Sequence, residues 1–172
     1  MRETKKLALS ALLVGLGTVF MVIGSFVEVL DLTVCALASV IVMFAYIELG
    51  SPYTWLVWLA TSMCTGVLGG ILWVEYLLIF GFYPILKAYI ERLRRGAWIP
   101  LKLVFANIAC VLIHFLSKLI MGQSLFDAES KLLQILTVVI MNAAMIAYDY
   151  FLTVMVRFYF DRIRGRVDKF LK

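Results

Sequence analysis

The chain has 172 residues, of which 64% are hydrophobic and 16% charged, and it carries a formal net charge of +5. A soluble domain carries about 25% charged residues and buries only about two-thirds of its chain's surface, so this much apolar surface excludes an ordinary water-soluble globule and calls for lipid around helices. The basic residues gather at the ends of apolar runs instead of alternating with polar ones, which excludes a nucleic-acid-binding stripe and fits anionic headgroups.

A bilayer-crossing helix needs about 20 apolar residues, and the hydropathy pattern predicts six such segments in one domain spanning 1–172. The first covers about 7–27. Arg2, Lys5 and Lys6 precede it as a leader's charged region would, but the apolar stretch exceeds the roughly 7–15 residues of a leader core and no small-x-small site closes it, so it reads as a retained span. Ala11 and Gly15 on it have the small-xxx-small spacing that lets helices approach closely. The second segment, about 32–49, stops at Gly50-Ser51-Pro52, where glycine closes a helix and proline cannot continue one. The third, about 53–73, is bounded by Trp55, Trp58 and Trp73, as expected of interfacial aromatics.

The fourth segment, about 76–91, is short and broken by Gly81 and Pro84. Pro84 has no N–H for the carbonyl of Phe80 and clashes with it, which predicts a kink. The fifth, about 99–121, follows the Arg92-Leu93-Arg94-Arg95-Gly96 connection, and the sixth, about 132–157, runs into a basic tail. With both termini in the cytoplasm, 14 of the 16 Lys and Arg residues fall inside and only Lys118 and Lys131 outside, which satisfies the positive-inside rule. The expected fold is therefore an all-α polytopic bundle of six transmembrane helices. Continuous apolar runs, without dyad alternation, exclude a membrane β-barrel.

Ionisable groups at membrane depth cost about 2.5 kcal/mol or more and mark candidate sites. On the inner half, Tyr76, Tyr83 and Lys87 share one helix face by their spacings of seven and four. Gln134, Asn142 and Asp149 share a face of the last segment, and Asn107 sits at a similar depth. A Lys87–Asp149 pair, with Asn107 and Tyr83 nearby, is expected, since it offsets two desolvation costs at once. On the outer half, Glu28, His114, Lys118, Gln134 and Asn142 are the residues able to converge on a vestibule for a small polar solute.

Cys35, Cys64 and Cys110 sit inside apolar runs without metal-ligand spacing, and the lone His114 has no neighbouring thiolate, so no metal or other cofactor is expected. No phosphate loop, nucleophile elbow or HExxH pattern occurs, and no enzyme activity is expected.

The size, the six segments, the cytoplasmic termini and the first helix Leu7-Ala8-Leu9-Ser10-Ala11-Leu12 resemble the substrate-binding S components of energy-coupling factor transporters. The stretch Phe80-Gly81-Phe82-Tyr83-Pro84-Ile85-Leu86-Lys87 also resembles one in small uncharacterised membrane proteins of Clostridia. The first resemblance implies a six-helix bundle that binds a vitamin-like solute on its outer side and docks to a transmembrane coupling subunit driven by two ATPases. That family's docking motif has two alanines four apart; here Ala8 is followed by Leu12, and Ala11 by Gly15. The competing expectation is a structural membrane protein that scaffolds envelope or cell-shape machinery and partners other envelope proteins. Either would reside in a bacterial cytoplasmic membrane, since no eukaryotic targeting signal is present.

Overall fold

The computed structural model describes residues 3–26, 31–68, 72–93, 95–121 and 131–165. Among these the chain is helical throughout its regular elements, with no strand. The six helices are α1 (Glu3–Gly24), α2 (Asp31–Leu49), α3 (Ser51–Val67), α4 (Trp73–Ile90), α5 (Trp98–Met121) and α6 (Lys131–Phe158). Five of them are long and apolar enough to cross a membrane; α3, with 17 residues, falls just short. At 1.5 Å per residue α3 is about 25 Å long, against a hydrocarbon core of about 30 Å.

The chain divides into two compact units, Met1–Ile85 with Tyr150–Lys172, and Leu86–Asp149. Both boundaries fall inside helices, α4 and α6, not in linkers.

In the first unit α1, α2 and α3 pack closely because small residues stand where the helices meet. A Cβ on Gly17 would lie 3.1 Å from the Thr61 methyl, and one on Gly24 would lie 2.6 Å from Val34 Cγ1. The core gathers Met21, Cys35, Val42, Tyr76 and Ile85, with Trp58 and Phe80 against it, and a second cluster holds Leu13, Ile41, Leu49 and Val57. Three of the four buried hydroxyls on α3, those of Thr54, Ser62 and Thr65, are satisfied within their own helix. Thr54 donates to the Gly50 carbonyl (2.9 Å), Ser62 to Trp58 (2.8 Å) and Thr65 to Thr61 (2.8 Å). These back-bonds let polar side chains lie at helix contacts without an orphaned donor.

The α2–α3 turn is made by Gly50, whose φ of +83° an L side chain rarely adopts, and Pro52 sits in the first turn of α3, where a missing N–H costs nothing. Around this turn two long-range contacts meet. Tyr53 donates to Glu3 at the start of α1, and Tyr159 donates to Glu48 at the end of α2 (2.5 Å). The start of α1 and the end of the last helix therefore lie at the same end of this unit.

Two boundaries differ from the sequence expectation. The third segment ends at Val67, and Trp73 opens α4 instead of closing α3; its ring packs 3.4 Å from where a Gly66 Cβ would be. Glycine costs about 1 kcal/mol relative to alanine inside a helix, and Gly66 stands at the end of this run, which closes earlier than hydropathy alone suggests. The small-residue pair Ala11 and Gly15 is also exposed, with nothing within 4 Å of a Gly15 Cβ. Within the chain, the close contacts fall on Gly17 and Gly24 instead.

Candidate functional site

The broken helix α4 is irregular for a specific reason. A single turn, Trp73–Glu75, leads into a π-helical turn, Tyr76–Phe80, and the helix resumes at Tyr83–Ile90. The Gly81 N–H donates to the carbonyl of Tyr76 (2.7 Å), five residues back, instead of to Leu77. The Leu77 carbonyl accepts from the indole N–H of Trp58 on α3 (3.2 Å). Gly81 is required there: a Cβ would lie 2.6 Å from Trp58 Cδ1 and 2.9 Å from the Tyr76 oxygen. The break expected at Gly81 and Pro84 is thus a π-turn sealed by a tryptophan, with Trp55 in edge contact with Trp58 and Phe82, and those two rings tilted against each other.

In the second unit four charged side chains converge. Lys87 pairs with Asp149 and, at 2.6 Å, with Glu91 one turn further along α4. Lys102 on α5 bonds Glu91 Oε1 at 3.0 Å and both Asp149 oxygens at 2.9 Å. Two ammonium groups and two carboxylates therefore close a ring of zero net charge that ties the end of α4 to α5 and α6. The lysine side chains are nearly buried, 7% and 10% exposed, whereas Asp149 and Glu91 keep 24% and 34%. Lys102 also stands 5.8 Å over the Trp98 ring, and Lys87 lies 3.4 Å from the Asp149 carbonyl.

Asn107 and Asn142 form the next level. Each amide nitrogen donates to the other's oxygen (3.1 and 3.2 Å) and to the carbonyl four residues back in its own helix, Leu103 and Val138, both at 2.8 Å. All four amide hydrogens are used, so the pair is self-contained even where Asn107 is exposed. α5 and α6 run antiparallel in this register, which pairs 102 with 149 and 107 with 142. His114 and Gln134, further along the same two helices, are each engaged in contacts.

The structure thus brings Lys87 to Asp149 as expected, and Asn107 to Asn142, which the sequence had placed in separate groups. Tyr83 is fully buried and belongs to the first unit, whereas Lys87, one turn on, belongs to the second. Glu28 and the side chain of Lys118 lie outside the described residues. Sequence reasoning missed Glu91 and Lys102. Glu91 was signalled by its i,i+4 spacing from Lys87, and Lys102 by being a charge four residues into an apolar helix.

Among the described residues no group of three or more His, Cys, Asp or Glu side chains is arranged to hold a metal, and Cys35, Cys64 and Cys110 are free thiols. Comparison with known proteins gives no match to any family model, curated protein or solved structure.

Proposed function

We propose that this protein is an integral membrane protein of six crossings with both ends in the cytoplasm, and that its intramembrane polar residues hold helices in register for a scaffolding role in an envelope assembly. The observation that carries the reading is mutual satisfaction. Lys87, Glu91, Lys102 and Asp149 cancel one another's charge, and Asn107 and Asn142 use one another's amides. A solute site instead keeps a few convergent polar groups for its ligand.

The topology is supported by charge placement and by the shared end of α1 and the last helix around the α2–α3 turn. Six crossings require the 17-residue α3 to span as well, which the bilayer accommodates by thinning locally, at a fraction of a kcal/mol per Å. Reporter fusions at residue 50, within 122–130 and after residue 172 test this: cytoplasmic, external and cytoplasmic activity, respectively, are expected.

The second reading is the solute-binding subunit of an uptake transporter, favoured by one feature, the polar side chains of His114 and Gln134 further along α5 and α6. Purification in mild detergent, with mass spectrometry of co-purified small molecules and cross-linked proteins, separates the two. Scaffolding predicts protein partners and no stoichiometric solute. A bound small molecule lost on Asn142→Ala would replace the scaffolding reading with the transport one.

A further inference from the structure

At the end of the first unit where α1 begins and α6 finishes, the acidic side chains of Glu3 and Glu48 are already committed. Glu3 takes the Tyr53 hydroxyl and Lys6 (3.1 Å), and Glu48 takes the Tyr159 hydroxyl. The exposed cations Lys5, Arg157, Arg162 and Arg164 make no ion pair among the described residues, and Asp161 is the one exposed acid in the segment 157–164.

Arg157 stands on the last turn of α6, Arg162 on the π-turn Tyr159–Ile163 that follows it, and Arg164 directly after that turn. Arg164 stacks 4.8 Å over Phe160, a ring left 44% exposed beside Phe158 at 51%. A stacked guanidinium keeps its N–H edge available, and that planar edge matches phosphate oxygens in a bidentate fork. The buried Tyr159 at the head of the π-turn anchors this segment to α2, so the arginines are presented from a fixed base.

We propose that this end, with Arg157, Arg162 and Arg164 as its centre, binds the phosphate of anionic phospholipid headgroups in the cytoplasmic leaflet. Lipid, not nucleic acid, is the partner because the cations terminate Gln134–Arg162, a stretch apolar enough to cross a membrane, with exposed aromatics at the same level. This inference rests on the membrane reading but not on the scaffolding one.

The test uses the full-length protein in mild detergent, titrated with phosphatidylglycerol or phosphatidylcholine and read by native mass spectrometry for retained lipid. The wild type is expected to retain phosphatidylglycerol in preference, and the preference to weaken as salt rises. Arg157→Gln, Arg162→Gln and Arg164→Gln together should reduce the preference about a hundredfold, equivalent to about 2.8 kcal/mol at 1.4 kcal/mol per tenfold. Each single variant should reduce it about fivefold, which decides the matter if the triple variant does not fold. Arg→Lys at the three positions should fall between the wild type and the Gln variant, since it keeps the charge and loses the bidentate fork.

Equal retention of both lipids by the wild type overturns the proposal, as does a preference the three arginines do not affect. Arginine-dependent retention of a polyribonucleotide without preference for phosphatidylglycerol also overturns it, in favour of nucleic acid. The reporter fusions are read separately, so a failed lipid preference with the expected topology refutes this surface and leaves the six-span reading standing.

Discussion

Asp149→Asn perturbs the ring most directly, because Asp149 is the acceptor shared by both lysines. Without its charge, Glu91 is the one carboxylate left in the ring for Lys87 and Lys102, and a nearly buried neutral site acquires one positive charge. Removing one member of a buried ion pair costs about 3–5 kcal/mol. Asp149 keeps 24% exposure, which places the expected loss at the lower end, about 3 kcal/mol. Equilibrium unfolding in mixed micelles of mild detergent and dodecyl sulfate measures it. The decisive companion is Lys87→Met with Asp149→Asn, which leaves the neutral Lys102–Glu91 pair at 3.0 Å. The double variant should be less destabilised than the sum of the singles by at least about 1 kcal/mol, the coupling expected of residues sharing one network. Additive losses, or an Asp149→Asn cost below about 1 kcal/mol, would refute a closed ring.

Three further outcomes follow from close contacts. Gly81→Ala places a methyl 2.6 Å from Trp58 and should cost about 1–3 kcal/mol in the same unfolding assay, with a change in tryptophan emission as the Trp58–Leu77 bond is lost. Gly24→Ala, facing Val34 at 2.6 Å, should destabilise by a similar amount, whereas Gly15→Ala, with open space around it, should be neutral or stabilise by up to about 1 kcal/mol through helix propensity. Asn107→Ala and Asn142→Ala should each cost about 0.6–2 kcal/mol, and the double variant little more than either alone, because each single change already orphans the other amide.

The break in α4 shows how far local chemistry carries. Gly81 and Pro84 announced an interruption, since proline removes a backbone donor wherever it sits in a helix. That the interruption takes the form of a π-turn, with its loosened Leu77 carbonyl met by Trp58, depends on a side chain 19 residues away and has no signature along the chain. The Lys87–Asp149 pair was legible because opposite charges in apolar runs have few places to go. Its extension to Glu91 and Lys102 was not, because their positions near helix ends also fit solvated or headgroup-facing charges.

Amino-acid order by itself determined the helical character, the positions of most breaks and the gathering of positive charge at the ends of apolar runs. All of these follow from the backbone's need for internal hydrogen bonds in an apolar medium and from the cost of charge there. Tertiary structure alone decided which faces meet. Uniformly apolar helices carry little contrast between one face and another, so hydropathy leaves each free to rotate about its axis, and only packing selects Gly17 over Gly15 or Asn142 as the partner of Asn107.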